Sequence, residues 1–142
     1  MSTTRQSIVD LIDTNFKTIT VVNGFSSNLG NNVFQFRDPP LADEELPALS
    51  YGDVSDIIGE EDEGEHNLEI SVEITASGTT SPSAMRDMIQ DVLTAYKLCE
   101  ESSLIAEINY FDSELFPEMA KKKYMKARIR FGIKYFTEIF EI

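Results

Sequence analysis

At 142 residues and a formal net charge of −13, the chain has the length of one self-sufficient domain. It is too acidic for general coating of nucleic acid, which needs a net basic surface. Its single cysteine, Cys99, excludes an internal disulfide, and no apolar run approaches the ~20 residues that span a bilayer, so no membrane partner is expected.

The N-terminal MSTTRQSIVDLID lacks the apolar core and cleavage pattern of a signal peptide, which sets the expectation of a cytosolic-type protein. Ile8, Leu11, Ile12, Phe16 and Ile19 recur at helical spacing, with Gln6, Asp10, Asp13 and Lys17 opposite. This predicts a helix capped by Thr3 or Thr4 that stops near residue 18 to 20, before Gly24. The Gly- and Asn-rich stretch 24–32 reads as turns. A short strand follows at 33–37, ended by Asp38-Pro39-Pro40, and a second strand falls within 45–54, starting after Pro47.

Residues 59–65 form a charge run, Glu60, Glu61, Asp62, Glu63 and Glu65 with two glycines, and read as a mobile, solvated loop. Next, 66–76 alternates cleanly: Leu68, Ile70, Val72, Ile74 and Ala76 face a core, and Glu69, Ser71, Glu73 and Thr75 face away. Ser81-Pro82 opens a second helix to about Ser102, with Met85, Ile89, Val92, Tyr96 and Cys99 on one stripe. A strand at 105–111, a connector at 112–123 and a long final strand to about residue 139 complete the chain. In that last strand Met125, Ala127, Ile129, Phe131, Ile133 and Tyr135 share one face, and Lys126, Arg128, Arg130 and Lys134 the other.

The order helix, three strands, helix, two strands predicts a single α+β domain over 1–142. Two helices with one apolar stripe each cover only one face of a mixed or antiparallel sheet of about five strands.

The candidate chemistry is thin. His66, the one histidine, sits at the mouth of a strand and reads as an exposed loop residue, not a general base. Cys99 lies on an apolar stripe and reads as a buried structural thiol. No Cys/His spacing suits zinc, and no glycine pattern cradles phosphate. The acidic run Glu60 to Glu65 offers oxygen ligands to Ca²⁺ or Mg²⁺, but not at EF-hand spacing. No cofactor and no enzymatic activity is expected; a small metal-binding enzyme using the acidic loop is the outlying alternative.

Charge is segregated instead. Seven of the twelve Lys and Arg residues lie in 121–134, twelve Asp and Glu lie between Asp43 and Glu73, and no Lys or Arg lies between Asp38 and Met85. The row Lys126, Arg128, Arg130, Lys134 has three readings. It is a solvated sheet face offset by Glu69 and Glu73, or a subunit contact with the acidic 43–65 segment of a second copy, or a surface facing nucleic acid. Phe131 and Tyr135 point to the core side, which leaves the third reading as a non-specific, charge-lined passage for DNA.

The layout resembles the tail terminator proteins of long-tailed bacteriophages over nearly the whole chain. The landmarks are the N-terminal amphipathic helix from Ser7 to Phe16, the strand entry Leu46-Pro-Ala-Leu-Ser-Tyr51, and the acidic insertion Glu60 to Glu65. After them come Asn67-Leu-Glu-Ile-Ser-Val-Glu-Ile74, the Ser81-led helix, and the closing Arg128-Ile-Arg-Phe-Gly-Ile-Lys-Tyr135. The resemblance implies a structural virion protein at the head-proximal end of the tail, assembled in the host cytoplasm. It would form a homo-oligomeric ring of six copies, cap the tail tube, stop its polymerisation and meet the head connector. The expected partners are thus self, the major tail tube protein and the connector or neck protein. The alternative is another head–tail joining or tail completion component. Segments 24–32 and 59–65 would be its contact loops.

Overall fold

The computed structural model describes residues 3–37, 42–59, 64–119 and 123–142. Helix α1 (Thr4–Lys17) begins where Thr3 Oγ1 accepts from the Gln6 amide, and it buries Ile8, Val9, Ile12 and Phe16. Helix α2 (Pro82–Lys97) begins in the same way: Ser81 Oγ accepts from the Ala84 amide, with Pro82 in the first turn. Its inward stripe is Met85, Met88, Val92, Ala95 and Tyr96. Strands β1 (Val33–Gln35), β2 (Ala48–Ile58), β3 (Glu65–Ser77), β4 (Glu107–Met119) and β5 (Lys123–Phe136) make one sheet, in the order β1-β2-β3-β5-β4. β1 runs parallel to β2, and all other neighbours are antiparallel.

Both helices cover the same face of this sheet, the α+β arrangement the sequence predicts. Their apolar stripes meet Leu68, Ile70, Val72 and Ile74 of β3, and Ala127, Ile129, Phe131, Ile133 and Tyr135 of β5, all buried in one core. Burying each of the larger aliphatic side chains contributes about 1.5–3 kcal/mol, which holds the layers together. Tyr96 fastens α2 to the sheet: its ring stacks on Phe131 at 3.8 Å, and its hydroxyl donates to the Gly132 carbonyl at 2.6 Å. Cys99 is fully buried as expected, and burial pushes its thiol above the ordinary range.

Three elements differ from the sequence reading. β2 extends to Ile58, past a bulge between Asp53 and Ser55. Residues 112–119, expected in a connector, continue β4. A bulge between Tyr110 and Asp112 shifts the alternation by one residue, and Pro117 is tolerated because β4 is an edge strand. β5 ends at Phe136, and not near residue 139.

Segment 24–32 is pinned to the body of the fold. Leu29 is fully buried, and the Ser26 amide and Ser27 hydroxyl donate to the Asp91 carboxylate on α2. Gly30 donates to the Ile19 carbonyl at 2.7 Å, and a Cβ on Gly30 would stand 2.5 Å from the Lys17 carbonyl oxygen. That neighbour is backbone and cannot swing aside. Gly30→Ala is therefore expected to lower the unfolding free energy in urea by about 1–3 kcal/mol.

Candidate interaction face

The face of the sheet away from the helices is built by strand order. β5 lies between β3 and β4, so each outward cation of β5 has a strand of carboxylates on both sides. Lys126 Nζ lies 2.8 Å from Glu73 on β3 and 2.8 Å from Glu118 on β4. Arg128 reaches Glu73 at 3.4 Å and Glu114 at 3.9 Å. Arg130 is held at 2.9 Å by Glu69 and at 2.9 Å by Asp112. Lys134 lies 3.8 Å from Glu65 and 3.5 Å from Glu107. Directly opposed strand pairs such as Glu73–Arg128–Glu114 make this a ladder of opposite charges, each rung worth about 0.2–1 kcal/mol.

The row read from the sequence as basic is thus not free. Seven carboxylates surround four cations, and this lattice is net acidic. Of the three readings, the geometry matches a face offset by its own carboxylates, and it adds a β4 contribution that the sequence reading lacked. Arg130 is exposed, and its bond to Glu69 leads the causes that raise its pKa. Lys126 differs from the others in being almost wholly buried. Burial works against its charge, but the bonds to Glu118 and Glu73 outweigh it and leave the ammonium's pKa above the ordinary lysine value.

Two glycines on this face are roofed by aromatic rings. The Phe36 ring stands where a Cβ on Gly52 would be, and the Phe111 ring does the same at Gly132. Phe36 reaches back through a positive φ of 52°. Arg130 lies over Phe111 at 5.8 Å from the ring centroid and Arg128 over Phe116 at 5.4 Å, which completes a firm, charged wall.

His66 is not the exposed loop residue expected. It is 2% exposed, stacks on Tyr135 at 4.5 Å, and bonds Asp56 through Nδ1 and Thr137 through Nε2, both at 2.8 Å. Asp56 also accepts from the Tyr135 hydroxyl at 3.0 Å, and Arg5 on α1 binds neighbouring Asp53 at 2.6 Å. An acid–imidazole–hydroxyl series is the outline of a nucleophilic triad. Here, however, the Thr137 hydroxyl donates to the Glu138 and Glu141 carbonyls, and the imidazole is sealed from solvent. The arrangement ties the C-terminal residues 137–142 to the sheet. The parity of β3 held the signal: His66 shares the inward register of Leu68 and Ile70. Its partners were hidden because β2 was expected to end near Val54.

Glu60, Glu61, Asp62 and Glu63 of the acidic run lie outside the described residues; Glu65 is the first residue of β3. Among the described residues no group of three or more His, Cys, Asp or Glu is placed to hold a metal ion. No family model matches the chain, and no curated protein matches it.

Three stability tests follow from this geometry. Lys126→Ala leaves Glu73 and Glu118 facing each other and is expected to cost about 1–3 kcal/mol in urea unfolding, whereas Glu114→Gln on the exposed rim stays within about 0.5 kcal/mol. Because the folded value of Lys126 is raised above its ordinary 10.5, its contribution is complete below that pH and fades as pH climbs past the folded value. The wild type should therefore lose stability more steeply than Lys126→Met in alkali. Asp56→Ala, which strands both His66 and the Tyr135 hydroxyl, is expected to cost about 2–4 kcal/mol by the same measurement.

Proposed function

We propose that this chain is a structural, non-enzymatic ring protein of the phage tail terminator kind. Six copies close on the end of a tail tube, stop its growth, and present a surface to the head connector. The observation that carries the reading is the outer sheet face: a wall of β3, β5 and β4 with both helices on the opposite side and a net acidic charge lattice in which every cation has carboxylate neighbours. A wall lining a passage for DNA has to let a polyanion slide without holding it. Cations flanked by a surplus of carboxylates meet that need better than a bare basic strip, because each positive charge already has its counter-ion. No helix among the described residues is long and apolar enough to cross a membrane.

The partners in this reading are sister copies, the tail tube protein and the connector. In negative-stain microscopy the purified protein should give annuli of uniform diameter, alone or on the ends of tail tubes. Only single copies by sedimentation at high concentration and low salt, with bare tube ends after mixing, would sink the reading. In a gel shift at about 0.15 M salt the protein should leave duplex DNA unretarded; tight retention would contradict a non-adhesive lining.

A further inference from the structure

Among the described residues the sheet has two open edges. On one side β1 pairs only with Leu49, Ser50 and Tyr51 of β2, which leaves β2 from Gly52 to Ile58 without a strand on that side among the described residues; there Arg5 reaches the main chain, donating to the Asp53 carbonyl at 3.2 Å. On the other side all of β4 is an edge. Register across the sheet shows that the two open stretches stand at the same height. Asp53 pairs with Ile70, Ile70 with Phe131, and Phe131 with Tyr110. Three residues along β3, Ile57 pairs with Asn67, Asn67 with Lys134, and Lys134 with Glu107. Both bulges fall beside the first of these rows, one at Val54 and the other at Phe111.

The same rows carry the apolar side chains that the edges leave in water. Val54, Ile57 and Ile58 on the β2 side, and Tyr110 and Phe111 on the β4 side, are between 49% and 66% exposed. Beyond these rows the edges are guarded. β1 covers the start of β2, and the far half of β4 carries Glu114, Pro117 and Glu118, which discourage strand addition. The strand senses also match. β2 and β4 are separated by three antiparallel steps and so run in opposite directions. A copy rotated about an axis along the strands would bring its β4 antiparallel to the open part of β2.

We infer that Gly52–Ile58 of one copy receives residues 107–112 of the next, so that the subunit contact of the proposed ring is strand addition between these unlike edges. A second copy is the fitting occupant because each edge offers what the other lacks: an open strand of opposite sense, with apolar groups on the same rows. Because donor and acceptor edges stand level within the sheet, a contact that keeps this register adds no shift along the strands from one copy to the next, as a head-to-tail contact needs in order to close on itself. This contact rests on the ring reading and specifies which surfaces make it.

Cysteine cross-linking tests it. Ile57→Cys is combined in turn with Glu107→Cys, Asn109→Cys or Asp112→Cys to scan the register, and each full-length protein is oxidised under conditions in which the wild type forms annuli. Within one copy the paired sites lie three strand spacings apart, roughly 14 Å, too far for a disulfide. Cys99 is buried. The expected result is that one double variant gives a ladder of covalent multimers stopping at a fixed size, while each single variant stays monomeric on a denaturing gel. Circular dichroism of the reduced variants confirms that they fold. Wild-type annuli with no ladder from any of the three pairs would overturn the edge contact and leave the ring standing. Wild-type protein that remains single, alone and with tail tubes, would overturn the ring and the contact together.

Discussion

The placement of β5 between β3 and β4 is the constraint on which the rest of this protein depends. On its inner side the strand presents Ala127, Ile129, Phe131, Ile133 and Tyr135 to both helices. On its outer side it presents Lys126, Arg128, Arg130 and Lys134 to carboxylates on either hand. Period-two alternation makes both possible in one strand, and the central position gives each cation two acidic neighbours in place of one. A chain with a large excess of negative charge gains from having its cations where they can offset the most repulsion.

Much of this was legible in the sequence because the relevant signals are local. Helical spacing in Ile8, Ile12 and Phe16, the Ser81-Pro82 start, and the alternations of β3 and β5 each identify an element without reference to anything distant. Two helices with one apolar stripe each can cover only one face of the sheet, which puts both on the same side. What was missed depends on pairing. Half of β4 was hidden because the bulge at Phe111 breaks the period and Pro117 mimics a breaker, a disguise that works only on an edge. The charge ladder is half legible: Glu69 and Glu73 lie on a strand of clear alternation, whereas Asp112, Glu114 and Glu118 lie in a segment that reads as a connector.

His66 shows the opposite failure. Its inward position was available from strand parity, yet the neighbouring acidic run suggested a wet loop. Charge density is an average over a segment, whereas parity fixes the direction of each side chain. Where the two conflict at the end of a strand, the backbone geometry decides.

The aromatic roofs have a consequence for how water meets this sheet. Phe36 over Gly52 and Phe111 over Gly132 shelter short lengths of main chain on the side that is otherwise wet. Amides beneath them are shielded from both sides, by packed core below and by a ring above, although they belong to strands near solvent. Proton exchange with the medium should accordingly be slow at two islands on the hydrated surface, and its rate would report how often each ring swings open.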